Sequence, residues 1–512
     1  MTATTPEFDY VIVGGGTSGP VLAARLSEDP EATVCLIEWG PSDQREPRAL
    51  QLLRWAEMLE SEFDLAYRSV PQPRGNSHIV QSRARILGGC SSHNTMIAFR
   101  PPLADLREWE ALGASGWGED FAAYYDLLLT NIVAVAPEHR NPFLQDVIET
   151  AAAALNIPLR ESWNDTQWTD GAGFLELGYY PETGVRSSAS VDYLHPIMGR
   201  RSNLTTLLET RVTRVLIDAH RRAEGVQMRL ADGSVAEVRA RREVILCAGA
   251  IDTPRLLLLS GVGPAEELAT AGVTVVHNLP GVGRNLMDHP EGLLVWEASR
   301  PVPELAASQW DAIIATRLDA EREAADILCH IPLLTLAENA ERLGFQTPRH
   351  SITLTPNVAR PRSRGRVWIG SADPDQPPLI DYGYFTDPDG HDERTLLAGI
   401  RMGRQLAQTQ PMAGWIKREV FPGAEVQEDS ELSALARQAH HTVYHVSGTC
   451  RIGAIDDPLG VVDPQLRVRG IDGLRVADAS VFPTLTTVNP VITVLMVGER
   501  AADLISGRLR TS

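Results

Sequence analysis

The stretch FDYVIVGGGTSGPVLAARLSEDPEATVCLIEWG, residues 8–40, decides the fold. Residues 10–13 form a short apolar run rich in β-branched side chains, the pattern of a buried strand. The run leads directly into Gly14-Gly15-Gly16-Thr17-Ser18-Gly19. Behind the glycines, PVLAARLSED places Val21, Leu22 and Leu26 at helical spacing, and TVCLIE reads as a second strand ending at Glu38. Glycines in turns are common, but strand, G-x-G-x-x-G, helix, strand and acid in this order make a dinucleotide-binding fingerprint. Gly14 allows the tight turn, Gly16 lets backbone amides approach a pyrophosphate, and Gly19 lets helix and strand pack closely. Thr17 and Ser18 lead into a helix N-terminus whose free N–H groups and partial positive charge suit phosphates. Glu38, nineteen residues beyond Gly19, is placed to accept hydrogen bonds from a ribose diol and would repel a 2′-phosphate. The fingerprint alone does not separate NAD from FAD.

The rest of the composition narrows the class. At 512 residues the chain is too long for one hydrophobic core, so two domains or two interleaved lobes are expected. Lys and Arg number 47 against 66 Asp and Glu, a net charge of −19. That charge argues against nucleic acid and anionic membrane surfaces as partners and slightly favours a cationic substrate. No apolar run reaches the length of a membrane span, and MTATTPEFDY lacks the basic and apolar regions of a secretion signal. The five cysteines are odd in number and form no CxxC pair, which suits free thiols in a reducing compartment. A cytoplasmic protein is the expectation. The sequence leaves the oligomeric state open, a homodimer being one option.

A second stretch, ILGGCSSHNTM (residues 86–96), sets a histidine, His93, after a small-residue turn. RARILGGCSSHNTMIAFRPP (83–102) resembles the first signature of the glucose–methanol–choline (GMC) oxidoreductases, and GAIDTPRLLLLSGVGP (249–264) the second. GVGRNLMDHP (281–290) and residues 474–505 are also similar to that family, so the resemblance covers nearly the whole chain. RSSASVDYLHP, YFTDPDGHDER and HTVYHVSGT have the flavour of its choline-oxidising branch. The resemblance implies FAD, and an FAD covalently bonded through His93, with Gly88, Gly89, Ser92, Asn94 and Thr95 lying against the cofactor. A histidyl substituent withdraws electron density from the ring and keeps the cofactor in place. Val212, Asp478, Ala479 and Pro490 are further cofactor contacts on the same grounds. Asp478 could equally cap the turn that follows it.

The chemistry is expected near the C-terminus. HHTVYHVSGTC holds His440, His441 and His445, but the spacing is not that of a metal site. By resemblance His445 is the catalytic histidine and Asn489, in TTVNPVIT, the second catalytic residue. An alcohol is a poor hydride donor and its alkoxide a good one, and histidine is a base suited to neutral pH. His445 would take the hydroxyl proton of a primary alcohol and Asn489 would orient the oxygen. Hydride would pass to flavin N5 and O2 would be reduced to hydrogen peroxide. A dehydrogenase using another acceptor and a lyase resembling hydroxynitrile lyase are the competing readings on the same scaffold. Trp55 and Tyr444 are candidates for the substrate wall, where their faces could hold a cation. Arg360, in LTPNVARPRSRG, falls where choline-oxidising members are expected to carry a substrate-binding histidine; a guanidinium there would repel a cationic head group, so a primary alcohol other than choline, such as an amino alcohol, an amino sugar or an aryl alcohol, is the expectation. The partner of such a head group is not placed, with Asp311 and Asp326 the candidates by region.

The expected fold is mixed α/β: a Rossmann-like FAD-binding domain and a discontinuous substrate domain built on an antiparallel sheet covered by helices. The FAD-binding parts are expected at 1–155, 205–295 and 445–512, the substrate parts at 156–204 and 296–444. HSITLTPNVA and GRVWIG read as strands and ERTLLAGIRMGRQLAQ as an amphipathic helix. By resemblance, residues 52–74 would lid the flavin cavity.

Overall fold

Two large sheets organise the chain. The computed structural model describes residues 5–165 and 168–508, so the first four residues of the N-terminal segment read above lie outside it. The first sheet has seven strands. Its centre is Glu7–Val13, flanked in parallel by Val34–Ile37 on one side and Val235–Leu246 on the other. Leu204–Leu207 extends one edge in parallel, Leu474–Val476 pairs with Val235–Leu246, and Arg211–Ile217 and Ala223–Arg229 continue as an antiparallel ribbon. Val11, Ile12, Leu36, Val244 and Ile245 are fully buried, as expected of strands covered on both faces. The crossover from Glu7–Val13 to Val34–Ile37 is the helix Gly19–Leu26, and the long helix Val491–Ser506 packs against it. Gly498 permits that contact, since a Cβ there would sit 2.9 Å from Val21 Cβ.

The second sheet has eight strands and is antiparallel throughout. Its order is Ile416–Phe421, Leu294–Ala298, Ser351–Val358, Ile327–His330, Ala312–Thr316 and Gly171–Phe174, with Pro290–Glu291 and His441–Thr442 attached at one corner. Helices His391–Ala407 and Pro142–Leu155 cover it. Phe143, Leu144, Val147 and Ile148 belong to the core of this sheet, so the boundary expected at 155 falls after a helix that packs with the second lobe. The short strand Pro290–Glu291 likewise belongs to the second sheet although it lies within 205–295. Among the described residues no helix is long and apolar enough to cross a membrane.

Candidate active site

The glycine loop is built by contacts that only glycine allows. Gly14 has φ +105°, and a Cβ there would meet the Cys247 carbonyl oxygen at 2.5 Å. Gly19 packs against the loop's own start, since its Cβ would lie 2.0 Å from the Gly14 oxygen. Gly16 is different: the one neighbour within reach of a Cβ is the Cys247 oxygen at 3.7 Å, so the side on which a Cβ would stand is open. Glu38 lies beside the loop. Its Oε2 accepts from Gly15 N at 2.8 Å and its Oε1 from Gly40 N at 2.6 Å. Burial pushes its carboxyl up to about 7, against the pull of those two amides. The first work of Glu38 is therefore to brace the loop.

The turn after residue 86 rests on that loop. Gly88 N donates to Gly15 O at 2.7 Å, and a Cβ on Gly89 would lie 2.6 Å from Gly16 Cα. Gly88, with φ +84°, and Ser92, whose hydroxyl donates to Leu87 O at 2.9 Å, hold the turn without lining the cavity. Asp478 caps two elements at once. Its Oδ2 accepts from Gly249 N and Thr253 Oγ1, and its Oδ1 from Ser480 N.

These segments enclose one side of a cavity of about 550 Å³. Gly14, Gly16, Thr17, Ser18, Glu38, Val212, Asp478 and Ala479 line it there. Gly89, His93, Asn94, Thr95, Trp55, Tyr444, His445, Asn489 and Pro490 also line it, whereas Gly19 does not. From the segment expected to act as a lid, Trp55, Leu59, Glu60 and Leu65 reach the wall. His93 is 4% exposed, and its Nδ1 has no hydrogen-bond partner among the described residues. The Oδ1 of Asn489, itself buried, has none either. Other buried polar atoms of this structure also stand without a partner; these two matter because both residues line the cavity.

The orientation of His445 follows from a chain of bonds. His289 Nε2 lies 3.0 Å from the Ala359 carbonyl oxygen, which can only accept, so the proton of His289 is on Nε2. Burial pushes the His289 ring down to about 3, so it is neutral and its Nδ1 is a bare lone pair. His445 Nδ1, 2.8 Å from it, must then be the donor. That leaves His445 Nε2 unprotonated. Burial also holds the His445 ring well below the ordinary histidine range, with the neighbouring His289, His330 and Arg83 acting in the same direction. The adjacent Asp288 fixes the backbone: its Oδ1 accepts from His445 N at 2.8 Å and its Oδ2 from Tyr384 Oη at 2.6 Å. Tyr444, at φ +63°, adopts the left-handed conformation that a bulky residue reaches only under such restraint.

A buried acid faces the same cavity. Glu291, in Pro290–Glu291, is 3% exposed, and its Oε1 has no hydrogen-bond partner among the described residues. His330 Nδ1 stands 3.5 Å away. Trp310 packs edge-on to His330 and to Trp55, with ring centroids at 5.7 and 6.3 Å. Trp55 is fixed by its indole N–H, which donates to Ser308 O at 3.0 Å. Glu291, His330 and Trp310 all line the cavity and all escaped the sequence reading. Glu291 follows directly on GVGRNLMDHP, and the Asp288-His289 pair lies inside it, so the signal was one acid and one dipeptide in a stretch read only for family likeness.

The expectation for Arg360 is corrected. Its guanidinium does not line this cavity. Its Nη1 donates to buried Asp105 at 2.7 Å and its Nη2 pairs with Glu108. Two histidines face the cavity from this sheet, His330 on the strand beside Ser351–Val358 and His441 at its corner. Asp311 and Asp326 are also turned elsewhere: Asp311 accepts from Ala307 N and Ser308 N, Asp326 from Leu318 N and Arg322. His440 is structural, its Nε2 accepting from Asn76 N at 2.9 Å.

Comparison with known proteins agrees with this architecture. The chain is 45% identical to choline oxidase of Arthrobacter globiformis, over 98% of this chain and 94% of the relative. It is 33% identical to an alcohol dehydrogenase [acceptor] of Pseudomonas putida, over 97% and 95%. Among solved structures, pyridoxine 4-oxidase from Mesorbium loti superposes with a TM-score of 0.89 at 28% identity, covering 97% and 98% of the two chains. A variant of formate oxidase from Aspergillus oryzae does so with a TM-score of 0.88 at 26% identity, covering 99% of each. Two GMC oxidoreductase family models match in order, over residues 8–291 and 361–498, and with glycine loop, turn and histidine loop placed around one cavity the chain belongs to the GMC oxidoreductase family.

Proposed function

We propose that the protein oxidises a small primary alcohol with a cationic head group, choline being the compound of that class, and uses FAD with O2 as acceptor. One observation carries the cationic part of this reading: a buried acid, Glu291, lines the cavity that also holds the bare Nε2 of His445, and its Oε1 has no hydrogen-bond partner among the described residues. A buried carboxylate is costly unless a cation meets it. Trp55, Trp310 and Tyr444 offer aromatic surface around it, which suits a methylated ammonium. The likeness to the Arthrobacter globiformis choline oxidase supports the same class.

The cavity fits FAD on the grounds of the open side of Gly16 and the unpartnered His93 Nδ1. Gly14, Gly16, Thr17, Ser18, Glu38, Val212, Asp478 and Ala479 would hold the dinucleotide, and Gly89, Asn94, Thr95, Asn489 and Pro490 the region around His93. His93 would carry the covalent link. When bound, FAD supplies the hydride acceptor. The chain's own residues prepare the alcohol. His445 Nε2 accepts the hydroxyl proton, and His289 keeps it in the tautomer that can. The Asn489 amide hydrogen-bonds the same oxygen and fixes its direction. Glu291 holds the cationic end, so the carbinol carbon is turned in one way only.

Peroxide release is compared for choline and its neutral isostere 3,3-dimethylbutan-1-ol. Choline is expected to be favoured in kcat/KM by about 30-fold or more, the worth of one close charge pair. Equal turnover of the two would end the cationic reading. Reduction of an artificial acceptor with no peroxide in air would end the oxidase reading. Flavin that stays in the supernatant after acid precipitation would end the His93 link.

A further inference from the structure

Arg360 has a different task from the one its place in the sequence suggested. The strand Ser351–Val358 is followed directly by Ala359-Arg360, and these two neighbours reach both residues assigned to the alcohol oxygen. Ala359 does so through its carbonyl, which accepts from His289, the partner of His445. Arg360 does so through a buried acid. Its Nη1 lies 2.7 Å from Asp105 Oδ1. Asp105, 1% exposed in the first turn of helix Leu103–Ala111, accepts Thr487 N on Oδ2 at 2.6 Å and Thr487 Oγ1 on Oδ1 at 2.8 Å. Thr487 is two residues before Asn489. The segment between is tightened again by Thr486, whose hydroxyl donates to Val488 O at 2.8 Å.

A carboxylate this buried keeps its charge only beside a cation. Arg360 is the cation that touches it. Without the guanidinium the Asp105 carboxyl would be a weaker acceptor, and the two Thr487 bonds would fall from charge-assisted to the strength of neutral ones. The segment 486–489 would be held less firmly, while the glycine loop and the Glu291 side of the cavity kept their own contacts.

We propose that Arg360 is a positioning residue: by way of Asp105 and Thr487 its guanidinium holds the segment that carries Asn489 and so sets where the Asn489 amide meets the substrate oxygen. This rests on the reading of Asn489 given above. Misplacement by about 1 Å at a reacting group costs up to about 100-fold in rate, so a loosened Asn489 is a sizeable loss.

The test is a double-mutant cycle on flavin-loaded protein, with kcat per flavin and KM for choline measured for Arg360→Met, Arg360→Lys, Asn489→Ala and the two Asn489→Ala double variants. Arg360→Met is expected to lower kcat about tenfold with KM within about twofold, and Arg360→Lys to recover most of the loss because an ammonium still neutralises Asp105. In the Asn489→Ala background the same Arg360→Met change should alter kcat by less than about twofold, since what it acts through is gone. Native kcat in Arg360→Met, equal losses in both backgrounds, or no recovery with lysine would overturn the proposal. If Arg360→Met gives no folded flavoprotein, Arg360→Gln carries the cycle: a kcat loss that vanishes in the Asn489→Ala background supports the proposal, and a loss of equal size there, or no loss at all, overturns it. Asn489→Ala as active as the native protein would overturn the reading of Asn489 and this inference with it, whereas equal losses in both backgrounds sink only the Arg360 link.

Discussion

The two parts of the cavity are made in different ways. The glycine-loop part is backbone: Gly14, Gly16 and Gly19 with the flanking strands and helix all come from residues 7–38, and side chains matter there mainly by their absence. The histidine part is side chains: Trp55, His93, Glu291, Trp310, His330, His445 and Asn489 come from seven separate stretches of chain. The difference teaches where binding and selectivity reside. A backbone cradle recognises what every dinucleotide offers, a pyrophosphate, and its sequence is contiguous because a turn is local. A side-chain site recognises one substrate, and its members meet only through sheet register and loop packing.

The comparison breaks first at His445, where the largest effect is expected. His445→Gln keeps the side chain's polarity but cannot take a proton. It should lower kcat by about 10²- to 10⁴-fold while the flavin content of the purified protein stays unchanged. Loss of flavin together with activity would mean that the two parts are not separable. Glu291→Gln comes next. It should lower kcat/KM for choline by about 30-fold, the worth of roughly 2 kcal/mol of lost charge pairing, and leave turnover of 3,3-dimethylbutan-1-ol within about threefold. A similar fall for both alcohols would show that Glu291 supports the fold and does not read the substrate.

On the other part, Gly14→Ala sharpens the contrast. A methyl group at φ +105° and 2.5 Å from a carbonyl oxygen forces the loop apart. Flavin incorporated per protein should fall, because strain of about 1–3 kcal/mol works against the loop that receives the cofactor, with kcat per bound flavin near native. The asymmetry also explains what could be read in advance. The fingerprint at 14–38 specified the strand–helix–strand unit and its acid because each requirement is local, and the alternation in HSITLTPNVA specified Ser351–Val358. His445 and Asn489 stood out only because their loops are similar to a known family. Glu291 and His330 look ordinary in the chain, an acid after a proline and a histidine in an apolar run. What makes them a site is that their two short strands both pair with Ser351–Val358. Arg360 was misplaced for the same reason. Position along the chain put it after a strand that faces the cavity, but Asp105, 255 residues away, takes its guanidinium.

The last and smallest effect concerns Cys90, which sits where the two parts meet. Cys35, Cys247, Cys329 and Cys450 are buried; burial alone pushes Cys35 up to about 12, and burial with a nearby carboxylate pushes the other three up. Burial works against the Cys90 thiolate too, but the Arg83 cation and the His93 ring beside it win, and the thiol is lowered to about 6. A thiol is charged above its pKa, so Cys90 should be an anion at pH 7 while the other four are neutral. The ultraviolet difference spectrum between the native protein and Cys90→Ser should show a thiolate band near 240 nm that grows in with a midpoint near pH 6. Arg83→Gln should move that midpoint upward, because it removes the favourable charge and leaves the burial. Cys90→Ser should change kcat by no more than about twofold, since nothing in the oxidation uses the thiol. A midpoint that stays near pH 6 without Arg83 would assign the lowering to His93, and would tie the charge of the turn to the same histidine that is proposed to hold the cofactor.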